Sequence, residues 1–446
     1  MSASKFSLAQ CALLAALGCF AGGLSQAKAA DLGGNCCADL EERIAELEAT
    51  TARKGNRKVS LEISGHVNEA VLFWDDGVES NAGVYTNDNS RSRFRFKGEA
   101  KINGDWKAGY LMEWGVRSAN SKRFNQDDPN GEGAGQIDVR HNVWYLDSKT
   151  FGRVWVGLTG GAGESVTETN LAATKEILKY SDIEDTGLGL NTLVGGVSTG
   201  VAWRRLIRGG GDQPGEGRRF NMVRYDTPAF MGFTGTVDWG EDDAWEAGVR
   251  YHGELGDFKI AAAIAYGENS DVTSTNPAFQ CVGNNTSPLD ATVPDTRCQQ
   301  LGGSVSVMHA PTGIYVNFGG GYMEDDVIGK DPGAASIAAV VDDRSEFYAG
   351  EIGIEQKWND LGKTTIFGQY YKNNGGSQDR TFEGGDIVES ELQSFGVGVI
   401  QGIDAAAMHV YLTYRHYEGD VTSGPALANF ELDDLDVVMS GAIIRF

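Results

Sequence analysis

With 446 residues, 61 Gly, 9 Pro and a formal net charge of −24, the chain has the length of two or three soluble domains or of one large barrel. The acidic balance disfavours nucleic-acid binding, which needs cations clustered on an exposed face. Helix-forming stretches are scarce, while Gly and aromatic residues recur in short alternating runs, the composition of closely packed β structure.

Residues 1–29 are predicted to be an export signal. Lys5 gives a positive start, Leu8 to Leu24 is apolar, and Ala27-Lys28-Ala29 fits small-x-small cleavage. A lipoprotein anchor at Cys19 is the alternative, but Ala16-Leu17-Gly18-Cys19 matches it poorly. Residues 30–57 are expected to form an N-terminal periplasmic segment. In it Cys37, Leu40, Ile44 and Leu47 recur at three- and four-residue spacings, with Glu41, Glu42, Glu46 and Glu48 on the other faces. That is a short amphipathic helix, suited to association with its own copies or to packing on a barrel rim. Beyond it no apolar run approaches the ~20 residues of a spanning helix. Residence in a membrane would therefore require a closed β-barrel, because an open sheet leaves backbone groups unpaired in lipid.

From Val59 the pattern changes to period two. Val59, Leu61, Ile63, Val67, Val71 and Phe73 alternate with Ser60, Glu62, Ser64, His66 and Asn68. Phe94 and Phe96 alternate with Arg93, Arg95 and Lys97. Asn103-Gly104-Asp105 turns the chain into Trp106 to Val116. Further strands are expected near 136–147, 151–159, 218–227, 231–239, 244–255, 258–268, 302–310, 313–323, 344–358, 362–372, 391–401, 405–418 and 431–446. With the first three they make 16, an even number as bacterial barrels require. Every second connection is tight, as at Gly256-Asp257 and Asp360-Leu361-Gly362, and the others are mostly long, polar and acidic. The longest, roughly 160 to 217, carries Glu164, Glu168, Asp182, Glu184 and Asp185 and a helical patch from Asn170 to Tyr180. Cys281 and Cys298 bracket a polar loop and are expected to form a disulfide in an oxidising compartment.

The chain ends on a strand, Gly441-Ala442-Ile443-Ile444-Arg445-Phe446, with a terminal aromatic. Phe151-Gly152-Arg153-Val154-Trp155-Val156-Gly157-Leu158 resembles the strand before the inward loop of a trimeric general-diffusion porin. Asn221-Met222-Val223-Arg224-Tyr225-Asp226-Thr227-Pro228-Ala229-Phe230 resembles the strand and turn after it. Cys36-Cys37-Ala38-Asp39-Leu40-Glu41-Glu42-Arg43-Ile44, with Lys54-Gly55-Asn56-Arg57-Lys58-Val59, is similar to the start of mature alphaproteobacterial porins.

The resemblance implies an all-β protein. Residues 58–446 would form a 16-stranded antiparallel transmembrane β-barrel with short periplasmic turns, long external loops and an inward-folded third loop. It implies an outer-membrane homotrimer in contact with lipid and lipopolysaccharide, recognised by the assembly machinery through Phe446. The function implied is passive diffusion of ions and small hydrophilic solutes. A solute-specific outer-membrane channel is the nearer alternative, and a secreted sugar-binding β-protein the more distant one.

Arg91, Arg93, Arg95 and Lys97 share one face at period two, with Arg117 facing the same way on the next strand. Such charges cannot face lipid, where each costs ~2–4 kcal/mol at mid-depth. They are the expected basic wall of a constriction whose acidic side is Glu164, Glu168, Asp182, Glu184 and Asp185. Arg93, Arg95, Glu113 and Arg250 are expected in the lumen, and Val59, Phe94, Phe96, Tyr110, Val249 and Ile444 against lipid. The six His show no metal-spaced pair and no Ser sits in a nucleophile elbow, so no enzyme, metal or cofactor is expected. A barrel fold alone does not exclude an outer-membrane phospholipase or protease.

Overall fold

The computed structural model describes residues 58–131, 136–207, 213–240, 244–270, 297–325, 344–375, 381–382, 385–424 and 427–446. The expected signal segment, the N-terminal helix with Cys36 and Cys37, and Cys281 lie outside the described residues.

The period-two runs become strands of one antiparallel sheet. These are β1 (Glu62–Asp75), β2 in two pieces (Ser80–Thr86 and Arg93–Lys101), β3 (Trp106–Val116), β4 (Ile137–Ser148), β5 (Gly152–Gly160), β6 (Arg219–Asp226), β7 (Phe233–Gly240) and β8 (Trp245–Leu255). They continue as β9 (Phe258–Asn269), β10 (Cys298–His309), β11 (Ile314–Asp325), β12 (Arg344–Asn359), β13 (Gly362–Gly375), β14 (Gly385–Ile403), β15 (Met408–Ser423) and β16 (Leu435–Arg445). Each pairs with its sequence neighbours, and β16 returns to β1, placing His66 opposite Arg445 and Asp75 opposite Asp436. Reciprocal backbone bonds of 3.0 and 3.1 Å between Gly65 and Phe446 finish the seam. The result is a closed sixteen-stranded barrel, which has no edge to leave unpaired in lipid.

Val59 falls just ahead of β1 and so is not a wall residue. The other outward positions follow the alternation. Val249, Phe318, Ile352, Val397 and Ile444 are exposed on the outer surface, and Phe94 stacks on Trp114 with ring centroids 5.3 Å apart. Apolar surface of this kind is costly in water and favoured in hydrocarbon. At the tight-turn end, Asp105 accepts from Ser148 Oγ at 2.7 Å and from Thr150 N at 3.2 Å, tying the β2–β3 turn to the β4–β5 turn.

The long connection, described over residues 161–207 and 213–218, folds into the barrel. Its seat is a shallow stretch of inner wall built from small side chains: Ala261, Ala263 and Ala265 on β9, Gly302, Ser304 and Ser306 on β10, and Gly319 and Gly321 on β11. A Cβ at Gly302 would lie 2.1 Å from Gly215 O, and one at Gly319 2.5 Å from Thr167 O, so the loop backbone sits where only glycine leaves room. Loop N–H groups bond to this wall, Thr169 to Ser304 Oγ at 2.9 Å, Leu171 to Ser306 Oγ at 3.1 Å and Ala173 to Glu355 Oε2 at 2.9 Å. The helix expected over Asn170 to Tyr180 is only a 3-10 turn, Ala173–Glu176, and Lys179 N, which would continue it, donates instead to Asn89 Oδ1 at 2.9 Å.

Beyond the turn the loop becomes core. Ile177, Leu178, Ile183, Leu188, Leu190, Trp203, Leu206 and Ile207 are buried with the inward side chains Leu72, Trp74, Phe367, Tyr371, Val437 and Met439. Each fully buried residue of this size contributes roughly 1.5–3 kcal/mol. Arg415, 1% exposed, clasps the loop through Nη2, which donates to Lys179 O at 2.8 Å and Gln369 Oε1 at 2.7 Å. The loop is thus a packed wedge that fills one side of the lumen and leaves the water path on the other.

Candidate functional site: a charged constriction

The remaining path narrows to a cavity of about 660 Å³. Its barrel side presents Arg91, Arg93, Arg140, Arg219 and Arg250, and its loop side Glu164, Glu168, Asp182, Asp185 and Glu216. Arg93 and Arg95 point inward because β2 alternates, with Phe94 and Phe96 taking the outer positions. Directly across on β3, Glu113 is wholly buried. It accepts from Arg140 Nε at 2.7 Å and from Arg95 through two nitrogens, and lies 3.5 Å from Arg93 Nη1. Three guanidiniums around one carboxylate leave a surplus of two positive charges.

The loop side has the opposite excess. Oxygens of Glu168, Asp182 and Glu216 lie within 4.8 Å of one another. Lys179 Nζ bridges two of these acids, 2.8 Å from Glu168 and also bonded to Asp182. Three carboxyl groups thus gather around one ammonium, and the loop side is acidic to the extent that they ionise. Burial opposes charge on Glu168, but Lys179 overrides it and holds that carboxyl at about 2. Burial and the Glu168 charge push Asp182 and Glu216 well above the ordinary carboxylate range. Among the other pairs, Arg219 meets Glu164 and Lys122 lies 3.3 Å from Glu184 and 3.4 Å from Asp185.

Several sequence-based expectations need correction. Arg91 is not on the strand face. Strand β2 is interrupted over residues 87–92 by a buried 3-10 turn, Asp88–Ser90, and Arg91 caps it. That interruption docks on the loop, with Asn87 Nδ2 donating to Ile177 O at 2.9 Å and Lys179 N donating to Asn89 Oδ1 at 2.9 Å. Arg91 and Arg117 share Asp88 and Asp138 in a locally neutral set, at 2.7 to 3.4 Å. Arg95, Lys97, Arg117 and Glu184 do not line the narrow cavity. Arg95 is turned to Glu113, and Lys97 stands opposite Leu111, nearer the periplasmic turn. Glu184 is buried against Lys122.

The sequence reading missed Arg140, Arg219 and Glu216. Arg140 was hidden by a bulge, because Glu113 pairs with His141 and Trp114 with Val139, leaving Arg140 without an opposite residue. Arg219 and Glu216 stand where the long loop rejoins the wall, and Arg218-Arg219 ahead of a strand was the available signal. Cys298 opens β10, is wholly buried and is disulfide-bonded. It therefore belongs to the wall, not to a free loop.

A sequence profile of Gram-negative porins matches residues 12–423. The chain belongs to the Gram-negative porin family. Solved structures share the fold at low identity. An anion-selective porin from Comamonas acidovorans superposes with a TM-score of 0.52 at 15% identity, covering 87% of this chain and 100% of that one. OmpT of Vibrio cholerae, folded in vitro, gives 0.51 at 13%, covering 88% and 99%. OmpF of Salmonella typhi in complex with daunomycin gives 0.51 at 13%, covering 87% and 98%. A search of curated protein sequences gives no match. The porin is an outer-membrane barrel through which solutes diffuse passively.

Proposed function

We propose that this porin is a general-diffusion channel whose ion preference is set by the field between the arginines around Glu113 and the acids around Lys179. The observation carrying this reading is the segregation of charge along one narrow water path, with Arg91, Arg93, Arg140, Arg219 and Arg250 on the wall and Glu164, Glu168, Asp182, Asp185 and Glu216 on the loop. Such a field aligns dipolar solutes and water and disfavours apolar solutes, which cannot repay the disruption of oriented water. Membership of the porin family supports the reading as a channel.

The finer assignments rest on the resemblance. They are an alphaproteobacterial trimeric subtype, residues 1–29 as signal, 30–57 as a periplasmic segment, and Phe446 as the assembly tag within lipid and lipopolysaccharide. OmpT of Vibrio cholerae, which has been solved in a trimer form, supports self-association. Liposome swelling tests the functional reading. Small neutral sugars should enter at rates that fall smoothly with size. A single sugar that enters far faster than its isomers would replace the general channel with a solute-specific one.

A further inference from the structure

We propose that the bulge on β4 creates a binding subsite for a small oxyanion, a phosphate or carboxylate group, at Arg140 and Arg219 inside the constriction. The inference rests on the channel reading above but concerns one fixed position within it. A β-bulge re-aims side chains out of strict alternation. Here it lets Arg140 join His141 on the inner face, where regular pairing allows only one of them. Arg140 is 7% exposed and lines the cavity.

The hydrogen bonding of this cluster is incomplete. Arg140 spends Nε on Glu113 at 2.7 Å, and among the described residues its two terminal nitrogens donate to nothing. Arg219 meets Glu164 through Nη2, while its Nε is buried without a partner. Arg219, Arg93 and Arg91 are the like charges that crowd Arg140, with Glu113 as the opposing one. Buried donors are normally satisfied, and leaving one unmade costs about 1–3 kcal/mol. Crowded guanidiniums with spare N–H groups invite an anion with several acceptor oxygens, because the planar fork matches carboxylate and phosphate oxygens. Arg93 beside them is already bonded to Arg91 O and Ser90 Oγ, at 3.0 and 3.2 Å. The subsite is assigned to the open donors of Arg140 and Arg219.

The test uses the full-length protein in planar bilayers, in potassium chloride titrated with inorganic phosphate. Wild type should show a saturable, phosphate-dependent fall in chloride current. Arg140→Lys keeps the charge and loses the fork. It should raise the half-saturating phosphate concentration at least tenfold. Lys107→Gln, which removes an inward charge near the periplasmic end, should leave half-saturation within twofold. A phosphate effect that never saturates, or an Arg140→Lys channel with wild-type half-saturation, overturns the subsite. Either result leaves the diffusion channel intact as long as ordinary chloride conductance is present. Absence of conductance in all variants and wild type would instead strike the channel reading itself.

Discussion

Glu113 is the sole carboxylate among Arg93, Arg95 and Arg140, and replacing it with Gln should tilt the channel strongly toward anions. The substitution keeps shape and one oxygen acceptor, so the cluster changes mainly by one charge, from a surplus of two to a surplus of three. For an ion passing at about 7 Å, one charge is worth ~0.6 kcal/mol in a water-like medium and about twice that at half the dielectric. The smaller figure favours chloride roughly threefold and disfavours potassium equally, changing their permeability ratio by about sevenfold. In a tenfold potassium chloride gradient at low ionic strength, where screening is weak, the reversal potential should move by on the order of 30 mV toward anions. Single-channel recording reads both this shift and conductance, and circular dichroism with protease resistance verifies the barrel. A correctly folded Glu113→Gln channel with unchanged reversal potential, or one shifted toward cations, would refute the assignment of the wall.

Two further outcomes follow from the loop. Because Asp182 and Glu216 hold their protons to higher pH than ordinary carboxylates, the loop loses negative charge early as pH falls. Their charged forms are the disfavoured ones in the folded loop, so the seated loop is also favoured at lower pH. Ion preference should move toward anions with a midpoint above the usual carboxylate range, and Asp182→Asn with Glu216→Gln should abolish that step. An identical pH profile in the double variant would place the titration elsewhere. Gly319→Val should unseat the loop, since even its Cβ meets Thr167 O at 2.5 Å and Tyr180 Oη at 3.1 Å. A larger or noisier single-channel conductance with the barrel intact is expected, and a quiet wild-type conductance would show that the loop is held without that close approach.

The sequence by itself determined the barrel. Alternation over Phe94 to Lys97 decides which side meets lipid, because side-chain direction in a strand has a period of two and charge is excluded from hydrocarbon. Tight turns at every second connection fix the order of pairing, since neighbouring strands joined by two or three residues have no other partner within reach. The sequence also marked residues 160 to 217 as the long acidic connection and Arg93 as a wall residue. It could not show which charges face the narrow gap. That depended on three local departures from regularity: the interruption of β2 that displaces Arg91, the bulge that admits Arg140, and the glycine seat that fixes the loop. Each is a matter of which backbone passes close to which, across separations of tens to hundreds of residues. Arg95 and Glu184 illustrate the consequence. Both are charged and inward as read, yet each is taken up by a partner: Glu113 stands opposite Arg95 in the β2–β3 register, and Lys122 meets Glu184 through the folding of the long loop. Alternation reports a residue's face, whereas the choice of ion partner is made by the packed loop and the curvature of the wall.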